Sequence, residues 1–115
     1  MDRDEFLKQL EANFPEAYAE INESEKGLLH CEVGAFRRWV EIQMEVGHAW
    51  NAEKALRFIE RSLREAGFEL SNAIEVSFIE DLALGEHKLE YQIIIKERAP
   101  KSILLKMAKL HEFWK

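Results

Sequence analysis

A chain of 115 residues and 13.5 kDa, 47% hydrophobic and 33% charged, has room for one packed core and is too apolar to stay disordered. Five glycines and two prolines disfavour a loop-rich sandwich or barrel, and a single cysteine excludes an internal disulfide framework or a multi-cysteine metal cluster. The net charge of −6 argues against capture of nucleic acid by whole-molecule charge.

Residues 4–14 carry Phe6, Leu7, Leu10 and Phe14 at spacings of three and four, which puts them on one helical face. Acids at the start of this segment suit the positive end of a helix dipole. Pro15 fits the first position of a following turn, and Ala17, Tyr18 and Ile21 continue helically. Residues 22–27 are polar and read as a loop. Over residues 28–46, Leu29, Val33, Phe36, Val40 and Met44 form a stripe that Trp39, Ile42 and Val46 widen. An arc this broad predicts a central helix with neighbours on more than one side. Gly34 inside it costs ~1 kcal/mol relative to alanine, which close approach of another helix would offset. Gly47 suits a left-handed helix end.

Asn51 is placed to cap the next helix. Its buried face is Ala52, Ala55, Leu56, Ile59, Leu63 and Ala66, and Gly67 ends it. Ser71 or Asn72 is expected to cap a helix holding Ile74, Phe78, Ile79 and Leu82 and stopping at Gly85. A segment over residues 86–96 contributes Leu89, Ile93 and Ile94. Residues 73–95 also admit a hairpin, because Ile74, Val76 and Phe78 alternate and Ile93-Ile94-Ile95 is β-branched. Pro100 marks a boundary, Ser102 can cap, and the last helix uses Ile103, Leu104, Met107, Leu110, His111 and Trp114. The expected fold is all-α, a compact bundle or short helical array of five to seven helices in one domain over residues 1–115. The alternative is α+β with one hairpin at about residues 73–95.

Charge is unevenly spread. Residues 1–25 hold eight acids against Arg3 and Lys8, whereas residues 96–115 hold six cations against Glu97 and Glu112. Such a head and tail can attract each other across a compact fold, or each can serve as a docking surface. Glu11, Glu16 and Glu20 are the head's candidate partner-binding residues. Lys54, Arg57, Arg61 and Arg64 form a second candidate set. Their spacings of three, four and three confine them to a wedge of about 80° opposite the buried face. Glu53 with Arg57 and Glu60 with Arg64 stand in the favourable order for helical ion pairs, which describes a solvated face equally well. Arg37 and Arg38 extend the patch only if the fold brings them near.

No catalytic residue emerges. The four histidines lack a partner histidine at helical spacing, and no HExxH motif occurs, so neither a metal nor another cofactor is expected. Glu86 and Glu90 offer two oxygens on one face and nothing more. Cys31 lacks a thiolate-stabilising partner in sequence and reads as buried and inert. Glu75, Glu80 and Asp81 read as a solvated stripe, except that Glu80 is expected to be partly buried and bonded to a tail cation or to Arg37 or Arg38. Trp39 reads as core, and Trp114 as core or a docking residue. No apolar run approaches the ~18 residues of a membrane span. Met1-Asp2-Arg3-Asp4-Glu5 is too acidic for a signal or transit peptide, so a cytoplasmic protein is expected.

The stretch Asn72-Ala73-Ile74-Glu75-Val76-Ser77-Phe78-Ile79-Glu80-Asp81-Leu82, then Ala99-Pro100-Lys101 and Leu110-His111-Glu112-Phe113-Trp114, resembles the C-terminal half of a known family. That family comprises small, predominantly helical bacterial domains of unknown function, some of which look like immunity proteins. The resemblance covers roughly 40 residues and transfers no catalytic residue, since function resides in sites rather than folds. The family usually has a glycine before the proline, where this chain has Ala99. It implies helices at residues 72–83 and 100–114. The expected function is a non-enzymatic protein–protein interaction domain, such as an immunity protein that neutralises a toxin by covering its active surface. An acidic head of this kind can occupy a nuclease's basic cleft by mimicking phosphate charge. The alternatives are a small metal-dependent hydrolase built on Glu75, Glu80 and Glu86, and a nucleic-acid adaptor using the Lys54, Arg57, Arg61 and Arg64 stripe.

Overall fold

Asp2 starts the first helix by accepting the Glu5 amide at 2.9 Å, which satisfies one of the donors a helix N-terminus leaves open. The computed structural model describes residues 1–85 and 89–115. Helix α1 (Arg3–Asn13) buries Phe6 and Leu10, and α2 (Pro15–Ala19) begins on the proline. A loop with Gly27 at φ +89° leads into α3 (Leu29–Glu45), and Gly47 at φ +83° turns the chain into α4 (Ala49–Glu65). Helix α5 (Phe68–Ile74) runs through a π-helical turn (Glu75–Glu80) into α6 (Asp81–Leu84) without leaving helical dihedrals. Helices α7 (Leu89–Arg98) and α8 (Lys101–Leu110) and a 3-10 turn (Glu112–Trp114) complete the fold. Taking α5 through α6 as one continuous helix gives seven helices among the described residues, with no strand among them.

The hairpin alternative is therefore excluded over the described part of residues 73–95. Ile74, Phe78, Ile79 and Leu82 are fully buried, whereas Val76 is exposed, which is helical sorting rather than alternation. In α7 the buried face is Tyr91 and Ile95, while Leu89 and Ile93 face outward, contrary to expectation.

Helix α3 occupies the centre, packed against α4, α5, α7 and the π turn. Phe36 on α3 is fully buried, with ring centroids 5.3 Å from Phe14, 5.9 Å from Phe58 and 5.7 Å from Phe78. These distances suit offset and edge-to-face aromatic packing. The α3 stripe is narrower than its sequence suggests, because Trp39 is buried but Ile42 and Val46 are exposed. Among the described residues no second helix comes within 4 Å of where a Cβ on Gly34 would sit. A Cβ there would meet only the Arg38 side chain, at 3.7 Å.

Three caps also differ from expectation. Asn51 lies inside α4 and donates to the Gln43 side-chain oxygen at 2.9 Å, so a tertiary partner replaces the capping bond. Gly67 adopts an extended conformation at the start of α5, donating its amide to the Met1 carbonyl, and Ser71 and Asn72 fall within that helix. Ser102 lies within α8 behind Pro100 and donates its hydroxyl to Glu60 instead. Trp114 is a core residue. It is nearly buried, and its indole N–H donates to the Ala83 carbonyl at 2.9 Å, tying the C-terminal turn to α6.

Candidate protein-binding groove

Helix α4 turns Ala52, Ala55, Leu56, Phe58 and Ile59 into the core, so its 3.6-residue repeat carries Lys54, Arg57, Arg61 and Arg64 to the surface. Two of these cations roof the aromatic core. Lys54 Nζ lies 5.6 Å from the Phe14 ring centroid, and the Arg61 guanidinium lies 5.5 Å from that of Phe58. Each ring face attracts the charge above it, a contact worth about 0.5–1 kcal/mol at an exposed site. The effect is to hold two long side chains along the helix rather than free in solvent.

The turn between α7 and α8 (Arg98, Ala99, Pro100) runs beside this face. Together they enclose an open groove of 740 Å³, with all four α4 cations and Arg98 among its lining residues. Proline at residue 100 ends α7 and directs the backbone along α4. Glu53 bridges the two walls. Its carboxylate oxygens lie 3.4 Å from Arg57 Nη2 and 3.9 Å from Arg98 Nη1. Glu60 is occupied by the Ser102 hydroxyl, so the Glu60–Arg64 pair suggested by spacing does not form. Among the described residues, Lys54, Arg61 and Arg64 have no carboxylate within 4.0 Å. Arg98 was not part of the candidate stripe. It lies 34 residues beyond Arg64 in sequence, and only the tertiary fold brings it to α4.

Arg37 and Arg38 do not join the groove. Arg37 pairs with Glu41 at 2.8 Å and Asp81 at 2.6 Å and also donates to the Ser77 carbonyl at 3.2 Å, within the π turn. Arg38 pairs with Glu25 at 2.5 Å. Arg37 thus meets Asp81, one helical turn beyond Ser77, rather than the expected Glu80.

Glu11, Glu16 and Glu20 are all exposed. Among the described residues no ion pair joins residues 1–25 to residues 96–115, so the expected head-to-tail attraction takes no direct form. The head's pairs are local or reach α3, through Arg3 with Glu32 and Glu25 with Arg38. The tail's cations look elsewhere, Arg98 to Glu53, Lys106 to Glu75 at 2.7 Å, and Lys115 to Glu112. Glu16 instead shares a shallow depression with Lys54 and Trp39.

Cys31 is exposed on the first turn of α3, contrary to the buried reading, since the stripe through Val33 and Phe36 leaves it on the outer face. Its neighbour His30 lies with Nδ1 2.8 Å from Ser77 Oγ, linking α3 to the π turn. Of the carboxylates considered for a hydrolase, Glu75 is committed to Lys106, and Glu86 lies outside the described residues, as does its pairing with Glu90. Among the described residues no group of three or more His, Cys, Asp or Glu side chains is placed to hold a metal, and no helix is long and apolar enough to cross a membrane.

A family model matches residues 7–115, nearly the whole chain. The chain belongs to the family described as domain of unknown function DUF7674. This bears out the resemblance to a small helical family of unknown function, and the DUF7674 match spans both walls of the groove, α4 and the α7–α8 turn. No curated protein and no solved structure matches the chain.

Proposed function

We propose that this domain is a non-enzymatic protein–protein interaction module and that the α4 groove receives an acidic segment of its partner. One observation carries this reading: Lys54, Arg61 and Arg64 line an open groove and have no carboxylate partner among the described residues, in a chain whose net charge is −6. An overall negative protein that keeps unpaired cations on one face attracts acid locally while repelling it elsewhere, which favours one docking orientation. Glu53, Glu60 and Glu97 also line the groove. They would oppose a continuous phosphate backbone, whereas a peptide can space its acids between them. That favours a protein over a nucleic acid.

The test is fluorescence anisotropy of labelled hexaglutamate at low salt. Reversing Arg61 and Arg64 to glutamate is expected to weaken binding at least about tenfold, a loss of ~1.4 kcal/mol, with circular dichroism confirming the fold. Unchanged affinity, or tighter binding of a single-stranded oligonucleotide of equal charge, would contradict the reading.

A second reading is favoured by the exposed acids of α1 and α2 and their lack of pairing with the tail. Here the head faces a partner's basic cleft, as an immunity protein faces a nuclease toxin. Reversing Glu11, Glu16 and Glu20 to lysine is then expected to leave the unfolding free energy in low salt unchanged within about 0.5 kcal/mol. A marked loss of stability, rescued by reversing Lys101, Lys106 and Lys109, would reject it.

A further inference from the structure

Trp50 is 61% exposed, whereas Trp39 and Trp114 are 8% and 7% exposed. Single apolar side chains on a surface need no explanation. Trp50 differs because of its position. It stands in the first turn of α4 and lines a second depression, of 400 Å³, together with His48, Asn51 and Arg98. Arg98 lines the basic groove as well, so one guanidinium forms the border of both. The cationic face and the exposed indole are therefore parts of one continuous surface along α4.

We infer that Trp50 is the anchor of this surface, and that the segment it accepts is an extended acidic run ending in an aromatic side chain that packs on the indole. This rests on the groove reading above and adds the chemistry of the ligand's end. Charge complementarity supplies the acidic part. The aromatic part follows from the indole, which offers large, rigid contact area at low cost in conformational entropy; tryptophan and arginine together dominate binding hot spots. Geometry sets the length. Residues 50 to 64 of a helix span about 21 Å along its axis. An extended peptide covers that in roughly six or seven residues.

The experiment compares hexaglutamate with hexaglutamate carrying phenylalanine at its N- or C-terminus, each titrated against the intact chain and its Trp50→Ala variant. One of the two phenylalanine peptides is expected to bind the unaltered chain about tenfold tighter than hexaglutamate and to shift indole emission to the blue. Trp50→Ala should abolish that gain, so that in the variant the phenylalanine peptides and hexaglutamate bind alike. No gain from phenylalanine at either end, or a gain that survives in Trp50→Ala, overturns the inference while leaving the groove reading in place. If no peptide binds, both readings fall. If hexaglutamate binds but ignores reversal of Arg61 and Arg64, the groove reading fails and this inference, which places the acidic run on those cations, falls with it.

Discussion

Replacing Phe36 by alanine is expected to lower unfolding free energy by about 3–5 kcal/mol in a denaturant titration. Phe36 is fully buried on the central helix and touches Phe14, Trp39, Phe58 and Phe78, which arrive from α1's end, α3 itself, α4 and the π turn. Removing the ring takes away its transfer free energy and leaves a cavity that four separate elements must close. A domain of this size has only about 5–15 kcal/mol in total, so the variant should sit near the edge of folding. Phe68 is 88% exposed, and its alanine variant should change stability by less than about 0.5 kcal/mol. Similar losses at both positions would show that the core is elsewhere.

Truncating Arg3 to alanine is expected to cost about 2–3 kcal/mol at neutral pH. Glu32 is 2% exposed and accepts two bonds from Arg3, from Nε and Nη2, both at 2.8 Å, and one from the Gly27 amide at 3.1 Å. Without Arg3 a buried carboxylate keeps only one donor. The figure stays below the full penalty of a buried pair because the Arg3 side chain is 37% exposed and water screens it. The same contact shapes acid stability. Burial pushes the Glu32 carboxyl up, but the Arg3 hydrogen bond, the Gly27 amide and the Arg3 charge outweigh it and hold the group below its ordinary range. A carboxyl lowered in the folded state stabilises fully above its unfolded pKa of ~4.3, and that stability is lost as pH falls through the lower folded value. Glu25, held low chiefly by its Arg38 hydrogen bond, adds in the same direction. Stability should therefore drop below about pH 4, and less steeply in Glu32→Gln than in the unaltered chain. Parallel thermal denaturation profiles from pH 6 to 3 for the two proteins would contradict this account.

The helices themselves were legible because their apolar residues recur at three and four: Phe6 to Phe14, Val33 to Met44 and Ala52 to Ile59 mark the faces that the fold buries. Their ends were less so. Asn51 has the chemistry of a cap, but the Gln43 amide across the α3–α4 corner captures it. Ile42 and Val46 are apolar yet face outward, since hydrophobicity does not say which side of a helix receives a neighbour. The π turn is invisible in periodicity, and spacing alone did not say that Arg37 meets Asp81 rather than Glu80. The candidate site shows the same division. The four α4 cations follow from local spacing. Arg98 reaches them through the α7–α8 turn, and the Ser102–Glu60 bond that takes Glu60 from Arg64 is likewise tertiary.

The central claim, that α4 and the α7–α8 turn form one receptor for an acidic segment, is tested most directly by a nitrogen-15 NMR titration of the labelled chain with hexaglutamate. Saturable shifts confined to the amides of α4 between residues 54 and 64 and of residues 97–99, weakening as salt is raised, are the predicted result. Shifts spread over α8 and the 3-10 turn instead, or none at all at millimolar peptide, would contradict it.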